Sequence, residues 1–301
     1  MKTLSYFESA MTNSNISDTR QTASPMQHSF EYSDADFHRL QKLVSDHTGI
    51  SLSDSKRDLV YGRLAKRLRK LGLKRFDDYI ALLNNNSCTE LEHFTNAITT
   101  NLTSFFREKH HFDYIANHIV PELLDRYHPE RRIRIWSAGC STGEEPYSLA
   151  ITLCESIPDI DQYNIQILAT DLDSNVVQTA AAGIYPQANI KDFDPLRTRR
   201  WFQRGTGIHD GKVRIVDKVR RLITFRQLNL MREWPMHGPF DLIFCRNVMI
   251  YFDKQTQSVL FDRFANILRS DGHLIIGHSE TLNSYCDRFK LVDKTLYRKT
   301  R

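Results

Sequence analysis

A glycine turn followed by two acids is the first feature of this chain that could do chemistry. The apolar run Ile133 to Ser137 leads into Gly139-Cys-Ser-Thr-Gly143-Glu144-Glu145, after which Tyr147, Leu149, Ala150 and Leu153 continue at helical spacing. A glycine turn between a strand and a helix lets backbone amides approach a ligand, and the helix start adds partial positive charge. No Lys-Ser/Thr follows the second glycine, so this is not a Walker loop, and it is not a clean G-x-G-x-x-G either. Two carboxylates at this place would repel a pyrophosphate. They suit a ligand with hydroxyls and a cationic amine, such as S-adenosylmethionine. The plainer reading is a strand-to-helix turn with acids in the first helical turn, and on this loop alone the two readings weigh equally.

Three further segments carry candidate groups. Asp171 closes the next apolar run, Ile165 to Thr170, where dinucleotide folds place an acid on ribose hydroxyls; it is equally suited to helix capping with Asp173. Phe240 to Asp253 leaves a buried strand and enters a polar loop bearing Arg246, Asn247 and Tyr251. Nucleic-acid amino-methyltransferases carry an Asn/Asp-Pro-Pro-aromatic motif there, and this chain has none. Thr100 to His111 brings Asn101, Thr103, Arg107 and the pair His110-His111. Without a third ligand at fitting spacing, the pair reads as helix-surface histidines and not a metal site. His273 and His278, five apart on one expected strand, face opposite sides and make no ligand pair.

The elements that must position these groups fall into two parts. Residues 1–28 are polar and aperiodic, and we expect a disordered tail. Ser33 can cap a helix that carries Phe37, Leu40, Leu43 and Val44 and stops at Gly49. A second helix over about 54–71 ends at Gly72, and two more fit 76–83 and 90–100. This is an all-helical domain over 29–100. Strand and helix then alternate, with strands at 133–137, 165–170, 240–245 and 272–277 and a helix over 254–268. The pattern implies an α/β, doubly wound, mainly parallel sheet over 101–301. The segment 188–226 breaks the rhythm: 212–216 and 222–226 alternate with the strand period and fit a small antiparallel insertion.

Composition sets the limits. The 301 residues are 41% apolar and 26% charged, which excludes disordered, collagenous and disulfide-scaffold proteins. Five cysteines without a Cys-x-x-Cys pair speak against a disulfide framework or a zinc site and fit a reducing cytoplasm. There is no apolar run of membrane-spanning length and no secretory signal pattern at the start. Net charge is +5, but it is concentrated. Residues 56–75 hold nine basic groups against Asp58 alone, and 184–226 hold eleven against four acids, so the rest of the chain is acidic. Two basic patches on an acidic protein point to acidic partners, nucleic acid or protein.

Taken together, the segments closely resemble the CheR-type chemotaxis receptor glutamate methyltransferases. The resemblance rests on Thr100-Asn-Leu-Thr-Ser-Phe-Phe-Arg107, Ser141-Thr-Gly-Glu-Glu-Pro-Tyr-Ser148, Ala169-Thr-Asp171, Arg204-Gly-Thr-Gly207, Phe244-Cys-Arg-Asn-Val-Met-Ile-Tyr-Phe-Asp253 and Gly277-His-Ser-Glu280. It runs in order over about 30–301. It implies a helical domain, a Rossmann-like S-adenosylmethionine domain with an inserted β-subdomain, no metal, and methyl transfer to the γ-carboxylate of receptor glutamates for chemotactic adaptation. By matching position it assigns Asn101, Thr103, Arg107, Glu145, Asp171, Asn229, Leu230, Cys245 and Arg246 to the cofactor, with Arg107 and Tyr251 nearest the transferred methyl. Gly139 and Cys140 stand where some relatives have alanine, and Cys140 is expected to make the pocket thiol-sensitive.

Such a reaction agrees with the residues. A glutamate is already ionised at pH 7, so no general base is required, and catalysis reduces to placing the carboxylate in line with the methyl. Arg63, Arg67 and Lys70 share one stripe of the basic helix and are expected to dock acidic faces of chemoreceptor cytoplasmic domains. Arg204, Gly205, Gly207, Gly211 and Arg214 are expected to tether a receptor's C-terminal tail peptide beside a strand. The resulting picture is a cytoplasmic monomer recruited to receptors, without nucleic acid and without membrane insertion. The alternatives are a nucleic-acid-directed methyltransferase, which would use the basic helix, a catalytically inactive binding module, and an NAD oxidoreductase, which fails at the glycine loop.

Overall fold

The computed structural model describes residues 29–85, 88–126, 132–282 and 286–300; the expected disordered tail over 1–28 lies outside them. Helix α1 (Asp34–Thr48) starts where sequence places it, because Ser33 and Asp36 cap each other's backbone amides, and it stops at Gly49 in the left-handed region, φ 74°. A 3₁₀ turn, Asp54–Lys56, leads into α2 (Arg57–Leu71), which ends at left-handed Gly72; α3 (Phe76–Asn84) and α4 (Cys88–Ile98) follow. Their apolar stripes meet in one core that includes Phe37, Leu40, Leu64, Leu68, Phe76, Tyr79 and Phe94. Each such fully buried side chain stabilises the unit by about 1.5–3 kcal/mol, and Leu64→Ala would cost about 2–5 kcal/mol.

Beyond it α5 (His110–Tyr114), a π turn over Ile115–Ile119 and α6 (Val120–Arg126) precede the sheet. The sheet contains β1 (Arg132–Ala138), β2 (Asn164–Asp171), β6 (Ile223–Gln227), β7 (Phe240–Cys245), β8 (Leu268–Ile276), β9 (Phe289–Asp293) and β10 (Leu296–Lys299). Its order is β6-β2-β1-β7-β8-β10-β9; β10 runs antiparallel to both of its neighbours and the remaining pairs are parallel. Alternate residues of β1 and β7 face opposite layers, as the two-residue strand period requires. Ile133, Ile135, Leu242 and Phe244 join α7 (Glu144–Ser156) in one core. Trp136, Ile243 and Cys245 join Phe261 and Phe264 of α11 (Lys254–Ile267) in the other. The closing β9–β10 hairpin was not legible as strands.

One expectation is corrected. The antiparallel insertion consists of β3 (Ile184–Pro186), β4 (Phe202–Arg204) and β5 (Lys212–Ile215), in the order β3-β5-β4. The run 222–226 does not pair with it. It becomes β6 and lies parallel to β2, from Ile167↔Ile223 to Asp171↔Gln227. Strand periodicity identifies a strand but not its partner, and the short helix α10 (Asp217–Arg220) carries the chain back to the main sheet. Helices α8 (Ser174–Ala182) and α9 (Pro195–Trp201) complete the fold.

A candidate active site at the carboxyl ends of the strands

In open α/β sheets a ligand binds where strand order reverses, outside the carboxyl ends. Here β2 and β7 flank β1, and a cavity of about 280 Å³ opens above all three. Its wall includes Gly139 after β1, Asp171 at the end of β2, and Arg246 after β7. The helical unit closes the opposite side with Thr48, Ile50, Ser51, Leu52, Lys56 and Leu59. That side is fastened by Ser51 N–H to the Tyr251 carbonyl at 2.8 Å and by Asn229 Nδ2 to the His47 carbonyl at 2.7 Å. Sequence reasoning missed the α1–α2 loop as pocket wall; the signal available was an apolar Ile50 and Leu52 in a loop too short to hide them.

The glycine loop is built to position acids and does not cradle phosphate. The amides of Gly139 and Cys140 both donate to the Thr170 carbonyl at 2.8 Å, and the Ser141 amide donates to Asp171 Oδ2 at 2.8 Å. Amides spent inside the protein are not available to a pyrophosphate. A side chain at Gly139 (φ 87°) would strike Val248, so the turn and the Arg246–Tyr251 loop are in close approach. Only one of the two acids reaches the cavity. Glu145 does, whereas Glu144 turns to Thr142 Oγ1 at 2.6 Å.

Burial pushes the carboxyls of Asp171 and Glu145 up; backbone donors oppose this at Asp171, and Arg246 and Ser137 oppose it at Glu145. Asp171 lines the cavity, where hydroxyl donors of a bound ligand would restore what burial removes. Asn101 Nδ2 bonds Asp173 at 2.7 Å, and Ser141 Oγ bonds the Asn101 carbonyl at 2.8 Å, which fastens the 100–107 segment to the sheet.

Arg246 links the two rims. Its side chain is 1% exposed; Nη1 meets Glu145 Oε2 at 3.0 Å, Nη2 meets the Arg107 carbonyl at 2.6 Å, and Glu108 Oε2 lies 3.4 Å away. Arg107 itself holds the Leu102 carbonyl at 3.1 Å and leaves part of its guanidinium exposed at the rim. Tyr251 lines the same cavity with its hydroxyl 3.5 Å from the Thr100 carbonyl, and burial raises its pKa against the pull of Arg107. Glu108 was missed by sequence reasoning. Its left-handed φ of 55° marks it as a residue held by its surroundings.

Asn101, Thr103, Arg107, Glu145, Asp171, Asn229, Leu230, Arg246 and Tyr251 thus all line one cavity. Cys245 does not; it is fully buried at the end of β7. Cys140 is not on the wall either, and burial raises its thiol pKa, so the expected thiol sensitivity has no support at this residue. His111 corrects the helix-surface reading: it is 1% exposed, and burial pushes it down to about 3, so it is neutral. Glu108, His110 and His111 could bring three ligand atoms together. The Glu108 carboxylate, however, is already engaged by Arg246 and by His278 Nδ1 at 2.9 Å. His278 sits beyond the end of β8, while His273 is buried within it, so the two remain apart.

The basic helix departs most from expectation. Arg63 Nη1 donates to the carbonyls of Ile98 and Thr99 at 2.6 Å, capping the end of α4. Arg67 Nε bonds Glu90 Oε1 at 2.7 Å, and Tyr79 donates to the same carboxylate at 2.9 Å. Both arginines serve the helical unit, and of the expected stripe only Lys70 faces outward, with Lys66 and Arg69 beside it. In the insertion Arg204 and Arg214 are exposed, and Gly205 donates to the Lys212 carbonyl at 2.9 Å. Gly205 has no room for a side chain, since a Cβ would meet the His209 carbonyl; Gly207 and Gly211 are left-handed in open space.

Comparison with known families covers both parts of the chain. The all-alpha domain of CheR methyltransferase matches residues 35–99, and its SAM-binding domain matches 101–298. The chain belongs to the CheR methyltransferase family. It is similar to the chemotaxis protein methyltransferase of Salmonella typhimurium, 45% identical over 267 residues that cover 88% of this chain and 90% of that one. The Escherichia coli protein of the same description is 44% identical over 88% of this chain and 91% of its own. Chemotaxis protein methyltransferase 2 of Pseudomonas aeruginosa is 44% identical, over 89% and 94%. The protein is therefore an S-adenosylmethionine-dependent methyltransferase, and the acids on the cavity wall suit a ligand with hydroxyls and a cationic amine.

Proposed function

We propose that the protein transfers the methyl group of S-adenosylmethionine to the γ-carboxylate of glutamates on chemoreceptor cytoplasmic domains, in chemotactic adaptation at the inner face of the membrane. The observation that carries this reading is that Arg107 and Tyr251 line the same cavity as Glu145 and Asp171, two acids suited to a ligand with ribose hydroxyls and a cationic amine. Bound S-adenosylmethionine supplies an electrophilic methyl on a sulfonium. An ionised glutamate needs no proton removed before it accepts that methyl. The chain's residues therefore have only to bind, orient and exclude water. Arg107 holds the incoming carboxylate with its planar fork, and Tyr251 fixes its angle with a hydroxyl donor. Asp171 takes the ribose, and Asn101, Thr103, Glu145, Asn229, Leu230 and Arg246 line the rest of the cofactor pocket. Cys245 contributes only by ending β7.

Docking follows the exposed cations. Lys66, Arg69 and Lys70 would meet acidic faces of the receptor bundle, and the edge of the insertion near Arg204 would take an acidic tail peptide as an added strand. Such an anchor adds no catalytic group but raises the effective concentration of enzyme near its glutamates. Among the described residues no helix is long and apolar enough to cross a membrane; in this reading the protein acts as a monomer that visits receptors from the cytoplasm. Methyl-labelled S-adenosylmethionine with receptor-rich membranes tests the reading. Label should enter receptor protein and leave as methanol in base, because carboxyl methyl esters hydrolyse. Label that survives base, as N-methyl groups do, would overturn it.

A further inference from the structure

The turn after β8, Gly277-His278-Ser279-Glu280, touches both loops that carry Arg107 and Tyr251, although it lines no part of the cavity. The Glu280 side chain is 6% exposed and folds back over its own turn. Oε2 accepts the N–H of Gly277 at 2.5 Å and of Asn247 at 2.9 Å; Oε1 accepts the N–H of Ile250 at 3.3 Å. Two of these three donors lie 30 and 33 residues away, in the loop that presents Arg246 at one end and Tyr251 at the other. A site made of backbone N–H donors asks for a group that only accepts, which an ionised carboxylate is.

At the other end of the turn His278 grips Glu108, its N–H on Oε2 at 3.2 Å and Nδ1 on Oε1 at 2.9 Å. Glu108 is next to Arg107 and beside Arg246. Asn247 and Glu108 are both left-handed, at φ 58° and 55°, and such conformations persist only where their surroundings over-determine them. Gly277 completes the clamp. A Cβ there would lie 2.5 Å from Asn247 Nδ2, 2.9 Å from the Asn247 amide nitrogen and 2.9 Å from Glu280 Oε2.

We propose that Glu280 is a positioning residue for methyl transfer: its carboxylate pins the 247–250 loop so that Tyr251 stays in register with Arg107 across the cavity. The inference rests on the methyl-transfer reading above. It is not a local cap, because a cap would satisfy its own turn and leave Asn247 and Ile250 to others. In-line attack tolerates little misplacement, and a 1 Å error can cost about 100-fold in rate.

The test uses the full chain with Glu280→Gln, Glu280→Ala and the exposed control Ser279→Ala. Glutamine keeps the volume and one acceptor oxygen but turns an N–H toward a backbone N–H. We expect Glu280→Gln to lower kcat on receptor about tenfold, with affinity for S-adenosylhomocysteine nearly unchanged, and Ser279→Ala to match wild type. Tyr251→Phe should cost about tenfold in the wild-type background and much less once Glu280 is glutamine, since the two would act as one unit. Amide hydrogen exchange should quicken over 246–252 in Glu280→Gln and not in α2 or α4. A wild-type kcat in Glu280→Gln, additivity with Tyr251→Phe, or unchanged exchange over 246–252 overturns the proposal. If Glu280→Ala does not fold, the glutamine variant decides alone. The exchange measurement needs no substrate, so loss of the glutamate reading and loss of the clamp are separate results.

Discussion

The basic stretch 56–75 and the basic stretch 184–226 look alike as charge runs and differ in the folded protein. In α2, Arg63 and Arg67 turn inward, one to the carbonyl end of α4 and the other to a carboxylate that Tyr79 also contacts. In the insertion, Arg204 and Arg214 stay at the surface, where Arg214 meets the exposed Asp217 at 3.2 Å. The difference follows from what lies underneath. Four packed helices leave orphan carbonyls and the nearly buried Glu90 that need a cation. In the second stretch the fold claims Arg197, which holds Glu155, and Arg220, which holds the Ala181 carbonyl, but Arg204 and Arg214 on the three-stranded sheet are left to solvent or to a partner. A charge run therefore marks a binding surface only where the fold makes no claim on it.

The contrast is sharpest in stability. Arg67→Ala should destabilise the helical unit by about 3 kcal/mol, because Glu90 would stay buried with its cation gone; Arg204→Ala should change stability by less than about 0.5 kcal/mol. Denaturant titration of both variants checks this, and equal losses would erase the distinction. Next in size is the tether. Replacing 205–211 with a short turn, or Arg204→Glu with Arg214→Glu, should lower binding to an immobilised acidic tail peptide at least about tenfold, the scale of losing one buried contact. Tailless receptors should still be methylated. Intact peptide binding would leave the insertion without its assigned role.

A smaller effect is expected from the outward face of α2. Lys66→Glu, Arg69→Glu and Lys70→Glu together should lower receptor methylation several-fold at low salt, roughly the scale of rim charges. The deficit should shrink as salt rises, with cofactor affinity unchanged. A deficit independent of salt would point to misfolding instead of docking. The smallest effect is in acid. Burial alone would raise the Glu90 carboxyl, but hydrogen bonds from Arg67 and Tyr79 hold it below its usual 4.5. A depressed carboxylate stabilises above its unfolded value and loses that contribution as pH falls through the folded one. Stability measured from pH 5 downward should therefore fall less steeply in Arg67→Ala than in wild type, and parallel curves would remove the pair from the account.

Much of this is legible in the sequence. Ser33, Gly49 and Gly72 punctuate α1 and α2 because capping chemistry is local. The strands β1, β2 and β7 announce themselves as short apolar runs, and matched motifs gathered nine of the ten assigned catalytic and cofactor residues around one cavity. What tertiary structure alone decided is partnership. It moved 223–227 from the insertion into the main sheet, turned Arg63 and Arg67 inward, and buried His111, which the lack of a third ligand in the sequence had assigned to a helix surface. It also brought Glu280 against a loop 33 residues away. Local sequence sets propensity, caps and periodicity, which act over a few residues. Which group faces which across the molecule depends on how the layers pack, because only packing removes water and makes a buried polar atom find its partner.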